Sequence, residues 1–186
     1  TFFALRSESK SGVDVRILQA DTAESYMGGH SDTYWRGYGF GPAFNGMSGF
    51  PHFRNIELDA SFPIFRASLS DEDVPVVARV TAFNPFIPND EDSSSIPAAF
   101  FEWEIENTSD SETVYDVILS LQNPSKTASV NTSFSDGNVS GIFFTDDKGV
   151  RNELGYTDLS IATDAPDTAA TTYWYRGGWH DDVTSF

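Results

Sequence analysis

The sequence of 186 residues has no cysteine, which excludes disulfide bonds, thiolate catalysis and cysteine-ligated zinc. Basic residues are scarce, because 11 Lys and Arg stand against 28 Asp and Glu, for a formal net charge of −17. A field of that sign repels phosphate backbones, so the composition predicts no nucleic-acid partner. No apolar run approaches the roughly 20 residues that span a bilayer, so no transmembrane segment is predicted.

Helical periodicity is also nearly absent, whereas apolar and polar residues alternate with a period of two along most of the chain. About ten short strand candidates separated by Gly, Pro, Asn and Asp predict an all-β, antiparallel, supersandwich-like β-sandwich with little or no helix. We expect one domain over 1–186. Strands are predicted at 2–7, 13–19, 56–60, 63–69, 74–83, 99–106, 113–122, 139–145, 157–163 and 171–176.

Turns and loops are indicated by their residue types. The polar run Asn107–Glu112 predicts a hairpin loop between two strands, and Asp136-Gly137 and Lys148-Gly149 predict short turns. Two longer stretches are predicted to be long loops. Residues 26–50 combine glycines with bulky aromatic residues, and residues 84–98 combine three prolines with an acidic cluster. Long ordered loops tend to be functional or to contact a neighbour.

Acidic residues at alternate positions could be mistaken for a catalytic pair. A glycosidase needs two carboxyl groups about 5–10 Å apart across a cleft, but alternate residues of one strand point to solvent in parallel. Two such sets are therefore interpreted as solvated sheet faces and not as catalytic residues. They are Glu102, Glu104 and Glu106, and Asn55, Glu57 and Asp59.

Metal ligands are not indicated either. The acidic runs 71–73 and 89–92 lack the spacing of a calcium-binding loop, and water-facing turns explain them better. His30, His52 and His180 are far apart in the sequence and are interpreted as hydrogen-bonded loop residues. The sequence predicts no metal site and no cofactor.

Aromatic residues in the first long loop have two interpretations. Beside polar groups such rings can stack on sugars, and equally they can cover the edge of the core or an interdomain seam. Both interpretations stay open for Tyr34, Trp35, Tyr38, Phe40 and Phe44.

Four stretches in order carry a family resemblance: FFALRSE at 2–8, the long run 49–107, VILSLQNP at 117–124 and the closing run 171–186. The most specific parts are AFNPFIPNDEDSSSIPAAFFEWEIEN and YWYRGGW. Together they resemble the N-terminal domain of glycoside hydrolase family 116, which includes non-lysosomal glucosylceramidases and microbial β-glucosidases. The resemblance implies a β-sandwich that packs on a C-terminal (α/α)6 barrel carrying the Glu nucleophile and Asp acid/base of a retaining mechanism.

The same resemblance implies that the sequence is cut at both ends, after a glycine-rich strand region and before the barrel. We therefore expect a non-catalytic domain with no catalytic residue of its own, whose partners are the barrel and, in the whole protein, a β-glucoside or glucosylceramide-like substrate. Trp35, His52, Phe53 and Arg54 are predicted to contact the barrel or the aglycone side of its active site. The alternative is an autonomous carbohydrate-binding module in which Tyr34, Tyr38 and Phe40 stack on sugar.

Overall fold

The structure, a computed structural model, describes residues 2–20, 51–125, 128–151, 153–154 and 156–173. These residues form 11 strands and one helix of 4 residues, which confirms the predicted all-β fold with little helix. The strands are β1 (Phe2–Ser9), β2 (Gly12–Ala20), β3 (His52–Phe53), β4 (Asn55–Ser61), β5 (Ile64–Asp71), β6 (Val74–Phe83), β7 (Phe100–Asn107), β8 (Val114–Ser120), β9 (Ser129–Asp136), β10 (Val139–Asp146) and β11 (Leu159–Thr163), and the helix is α1 (Glu91–Ser94). None of the described helical residues makes a segment long and apolar enough to cross a membrane.

The chain divides into two compact units, Thr1–Ser120 and Leu121–Phe186. Unit 1 holds two four-stranded sheets with the strand orders β3-β2-β1-β8 and β4-β5-β6-β7. Their strand pairs are antiparallel, apart from β2 and β3, which run parallel. That residues 1–186 form a single domain stays a prediction.

The core of unit 1 lies between its two sheets. Leu5 of β1 and Phe53 of β3 are buried in one cluster with Leu69 of β5 and Val76 of β6. The strand β6 supplies three of the seven buried residues of this cluster, more than any other strand, because alternate residues along Val74–Phe83 are apolar and point to one face. Two sheets whose inner faces share one apolar cluster make a β-sandwich.

Unit 2 contains one antiparallel sheet with the order β11-β10-β9. Its β9–β10 hairpin turns at Gly137, whose φ of 60° lies in the region that glycine adopts without steric cost, so the turn predicted at Asp136-Gly137 is confirmed. After β10 the backbone N–H groups of Lys148 and Gly149 donate to Asp146 Oδ1 over 2.9 and 3.0 Å, which closes the second predicted turn.

The hairpin predicted across Asn107–Glu112 is wrong. The strand before it, β7, pairs with β6, and the strand after it, β8, pairs with β1 in the other sheet. The loop holds its own shape, because Asn107 Nδ2 donates to the carbonyl of Ser111 over 2.7 Å and Asn107 Oδ1 accepts from the backbone of Ser109 over 3.0 Å. It is therefore a sheet-to-sheet crossover.

Candidate domain-docking surface

One end of the sheet β4-β5-β6-β7 carries exposed aromatic rings. Phe83 and Phe100 are opposite each other on β6 and β7, and their rings stack with centroids 5.2 Å apart. Phe62, in the turn between β4 and β5, is 78% exposed, and its ring meets that of Phe86 edge-on with centroids 5.0 Å apart. We call these four residues the aromatic end.

The second long loop, 84–98, adds to the aromatic end and is held in a defined shape. Asp90 caps α1, because its carboxylate accepts from the backbone N–H of Ser93 over 3.0 Å and from the Ser93 hydroxyl over 2.7 Å. These two bonds hold the pKa of Asp90 below its ordinary value. Ser94 Oγ closes the loop by accepting from the backbone N–H of Ile87 and donating to its carbonyl. Ile87 and Ile96 are about half exposed.

Phenylalanine and isoleucine side chains are thus exposed to solvent on strand ends and on a loop whose backbone is held by hydrogen bonds. Scattered exposed apolar residues are normal on a protein surface, but a contiguous group of them marks an interaction site. Rings at an ordered surface also lose little conformational entropy when a partner covers them. The aromatic end is therefore suited to docking a protein surface.

Three of the sequence-predicted contact residues, His52, Phe53 and Arg54, lie elsewhere in unit 1. Phe53 is fully buried in the core, so its side chain supports the fold from within. His52 is half-buried, and its carbonyl accepts from Arg16 over 3.2 Å. Arg54 is exposed and pairs with Asp73, itself exposed. Trp35 lies outside the described residues, and the predicted contact of these residues with a barrel stays a prediction.

A buried carboxylate fixes this region. Asp71 Oδ2 accepts from Arg16 over 3.0 Å and from the backbone N–H of Arg54 over 3.2 Å, while Asp71 Oδ1 accepts from the backbone N–H of Asp73 over 2.9 Å. Burial by itself raises the pKa of the Asp71 carboxyl, but the Asp73 N–H, the charges of Arg16 and Arg54 and the Arg54 N–H outweigh it and hold that pKa below 3.8. The Asp71 side chain thus has a structural role.

The length of β4 sets the distance between Arg54 and the aromatic end. Arg54 immediately precedes β4 and Phe62 immediately follows it. A strand rises about 3.3 Å per residue, so the eight steps from Arg54 to Phe62 separate the two residues by roughly 26 Å. A partner that contacts both Arg54 and the aromatic end must therefore extend along β4.

The alternating acidic residues lie exposed on the outer face of the same sheet. Arg79 on β6 donates to Glu104 over 2.8 Å and to Glu106 over 2.6 Å, so two of the three β7 carboxylates are in ion pairs. Glu57 and Asp59 on β4 are exposed as well. None of the described residues forms a group of three or more His, Asp or Glu that could hold a metal ion.

Unit 2 carries a polar cluster and a shallow cleft. Asn123 Nδ2 donates to Asn131 Oδ1 over 2.8 Å, and Asn131 Nδ2 donates to the carbonyl of Thr172 over 2.7 Å, which ties the end of the described chain to β9. Unit 2 also has a cleft of about 470 Å³ that is open to solvent. The residues lining it are Arg151, Glu153, Leu154, Tyr156, Thr157 and Asp158.

The sugar-stacking candidates Tyr34, Tyr38 and Phe40 lie outside the described residues, and their role stays a prediction. Sequence reasoning singled out loop 84–98 but missed Phe62, Phe83 and Phe100. The available signal was the placement of large aromatics next to prolines and at strand ends, as in Phe62-Pro63 and the run that follows Phe83.

Comparison with known proteins assigns the family. No curated protein matches the chain. A family model described as beta-glucosidase 2, glycosyl-hydrolase family 116 N-terminal domain, matches residues 2–184. Since that match covers nearly the whole chain, it also confirms the resemblance carried by the four sequence stretches. The chain belongs to the N-terminal domain family of glycoside hydrolase family 116.

Proposed function

We propose that this domain is a non-catalytic accessory of a retaining β-glucosidase or glucosylceramidase-like enzyme, and that it packs on the catalytic domain of the same parent chain. The family membership supports a catalytic-domain partner, since the domain is the N-terminal part of a larger glycoside hydrolase. The catalytic barrel, by the resemblance of the (α/α)6 type, supplies the nucleophile and the acid/base.

The observation that carries this proposal is the aromatic end. Phe62, Phe83, Phe86 and Phe100 remain exposed on an ordered scaffold, and fully burying a Phe side chain gains about 1.5–3 kcal/mol. Loop 84–98 carries two further exposed apolar side chains, Ile87 and Ile96. A catalytic domain that covers these side chains removes them from water, which stabilises the association without any charge pairing.

The accessory role extends to the substrate. A loop that docks beside an active-site opening forms part of the wall that the aglycone meets, so the partner surface also sets aglycone preference. Arg54 can contribute at the other end of β4, because an exposed guanidinium can bond a carboxylate of a neighbouring domain. The leaving group of the β-glucoside, and not its sugar ring, is the part of the substrate that such a wall contacts.

The test is a double variant of the full parent protein, Phe62→Ser with Phe86→Ser. We expect the parent to lose cooperative unfolding, so that one calorimetric transition separates into two, and limited proteolysis between the domains to become faster. The ratio of kcat/KM on a long-chain alkyl glucoside to that on nitrophenyl glucoside should also change.

Phe143→Ser is the matched control, because Phe143 of β10 is an exposed Phe on a strand of unit 2. This variant should keep the single calorimetric unfolding transition and the kcat/KM ratio between the two glucosides unchanged. Docking through the aromatic end is disproved if the double variant unfolds, is cleaved and discriminates between substrates as the unaltered parent does.

A further inference from the structure

The strand β4 is an unusual sheet edge. Among the described strands it pairs with β5 alone, and all seven of its residues, Asn55–Ser61, are exposed. An edge strand presents unpaired N–H and C=O groups, and proteins normally shorten, bulge or cover such an edge. The pairing of β4 with β5 runs from Asn55 opposite Ser70 to Ser61 opposite Ile64 without a register shift, so this edge carries no bulge.

One face of β4 belongs to the sandwich interior, and the described residues leave it uncovered. Leu58 is opposite Ala67 of β5, which is opposite Val80 of β6, and both of those neighbours are 7% exposed. Leu58 itself is 62% exposed and Ile56 is 40% exposed. In this cross-strand row, inward-facing side chains are therefore buried on β5 and β6 but exposed on β4. An apolar side chain from a partner could pack against Leu58 at this edge.

The other face of β4 is acidic. Glu57 and Asp59 alternate with the apolar residues. Arg66 of β5 forms an ion pair with Asp59, with Nη1 and Oδ2 3.7 Å apart. Like charges opposite each other destabilise a strand pair. Two copies of β4 pairing edge to edge would oppose such acids, so charge disfavours a second copy of this chain as the partner and favours a strand with basic residues.

The position of β4 indicates where that strand comes from. It joins Arg54 at one end to Phe62 of the aromatic end at the other, so its edge is continuous with the surface on which the proposed docking takes place. We propose that an extended segment of the catalytic domain pairs with β4 as an added strand, with alternate apolar side chains against Leu58 and basic side chains beside Glu57 and Asp59. This inference rests on the proposed docking and specifies its chemistry.

Backbone hydrogen exchange in the full parent protein tests the pairing directly. Alternate N–H groups of an edge strand point away from its only neighbour, so a free β4 exchanges at every second residue. An added strand protects consecutive amides from Ile56 to Ser61, slowing the outward-facing ones at least about tenfold. Alternating protection along β4 in the parent would overturn the inference.

Charge reversal tests the basic partner. The double variant Glu57→Lys with Asp59→Lys should speed exchange of the outward-facing β4 amides by about tenfold or more. Glu102→Lys is the matched control, because Glu102 lies on the same face in the same cross-strand row as Asp59 but on the opposite edge strand, β7. Equal effects of the double variant and the control would contradict the charge argument.

A photo-crosslinking residue placed at Leu58 identifies the source of the strand. A crosslink to the catalytic domain of the same chain is expected, whereas a crosslink to a second copy, or one confined to residues 1–186, would overturn the assignment. These results are independent of the Phe62 and Phe86 variants. If those variants uncouple the domains while β4 shows alternating protection, docking stands and strand addition is wrong.

Discussion

At the residue scale, the Asp71 carboxylate joins three groups that are distant in the sequence. It accepts from the Arg16 side chain and from the backbone N–H groups of Arg54 and Asp73, so one side chain connects β2, the start of β4 and the β5–β6 turn. Its side chain is 0% exposed, and that of Arg16 is 15% exposed. Breaking a buried pair by removing one partner costs more than the pair itself contributes.

We expect Asp71→Asn to lower the free energy of unfolding by about 2 kcal/mol at neutral pH, since the hydrogen bonds to a charged acceptor are lost. The pKa of Asp71 is lower in the folded protein than its ordinary value of 3.8, so the ionised carboxylate stabilises the fold above that pH. This contribution is lost as the pH falls through the lower folded value. Urea unfolding at pH 7 and at successively lower pH should therefore show the difference between wild type and variant shrinking in acid.

Asp110→Asn is the control, because Asp110 lies exposed in the crossover loop. It should change neither the stability at neutral pH nor its acid dependence. A constant difference between wild type and Asp71→Asn across the whole pH range would mean that the carboxylate acts through packing and not through its charge.

At the element scale, the close contact of β10 with β11 depends on a glycine. A Cβ added at Gly141 would overlap the carbonyl oxygen of Ile161 and lie 2.9 Å from Ala162 Cα. Gly141→Ala should therefore force β11 away from β10, at a cost of about 1–3 kcal/mol. Hydrogen exchange of the amides of Leu159–Thr163 would measure this, with faster exchange in β11 and unchanged protection in the β9–β10 hairpin.

Ser140→Ala, one residue earlier on β10, is the matched control and should leave β11 protected. Ser140 pairs with Thr163 without the close backbone contact that Gly141 makes. Unchanged exchange of β11 in Gly141→Ala would show that the two strands can separate slightly without losing their ladder.

The same scale shows what alternation predicts and what it does not. The strand β6 was predicted with its observed bounds because every second residue from Val74 to Ala82 is apolar, and in the structure those from Val74 to Val80 are buried. The strand β9 was missed, because Ser129–Asp136 is mostly polar and exposed and is held in the sheet by its pairing with β10. The hairpin after β7 was wrong because the choice between neighbours in two sheets depends on distant pairing.

The candidate surface was only partly predictable for a related reason. Loop 84–98 was singled out by its length and prolines. Alternation assigns Leu58 or Phe101 to an inner face, but whether that face is covered depends on how far the opposing sheet extends. Among the described residues of unit 1, β3 has two residues while β4 has seven, and Leu58 on β4 is 62% exposed. Phe101, on the opposite edge strand β7, is 51% exposed. No local pattern carries that information.

At the scale of the whole molecule, charge and apolar contact act in opposite directions. With a formal net charge of −17, the acidic side chains of the folded chain repel one another. Among the described residues, the three glutamates of β7 have one cationic partner, Arg79. The aromatic end contains no ionised group. Salt should therefore relieve the internal repulsion while it leaves docking through the phenylalanines largely unchanged.

We expect the thermal midpoint of the domain to rise as ionic strength increases from about 0.01 M to about 1 M, since the screening length falls from about 30 Å to about 3 Å. Calorimetry in NaCl and in KCl should give the same rise, because screening depends on ionic strength and not on the cation. A midpoint that falls with salt would mean that ion pairs such as Arg79 with Glu104 outweigh the repulsion. In the parent, salt should weaken the charge pairing along β4, and the calorimetric coupling that depends on Phe62 and Phe86 should persist.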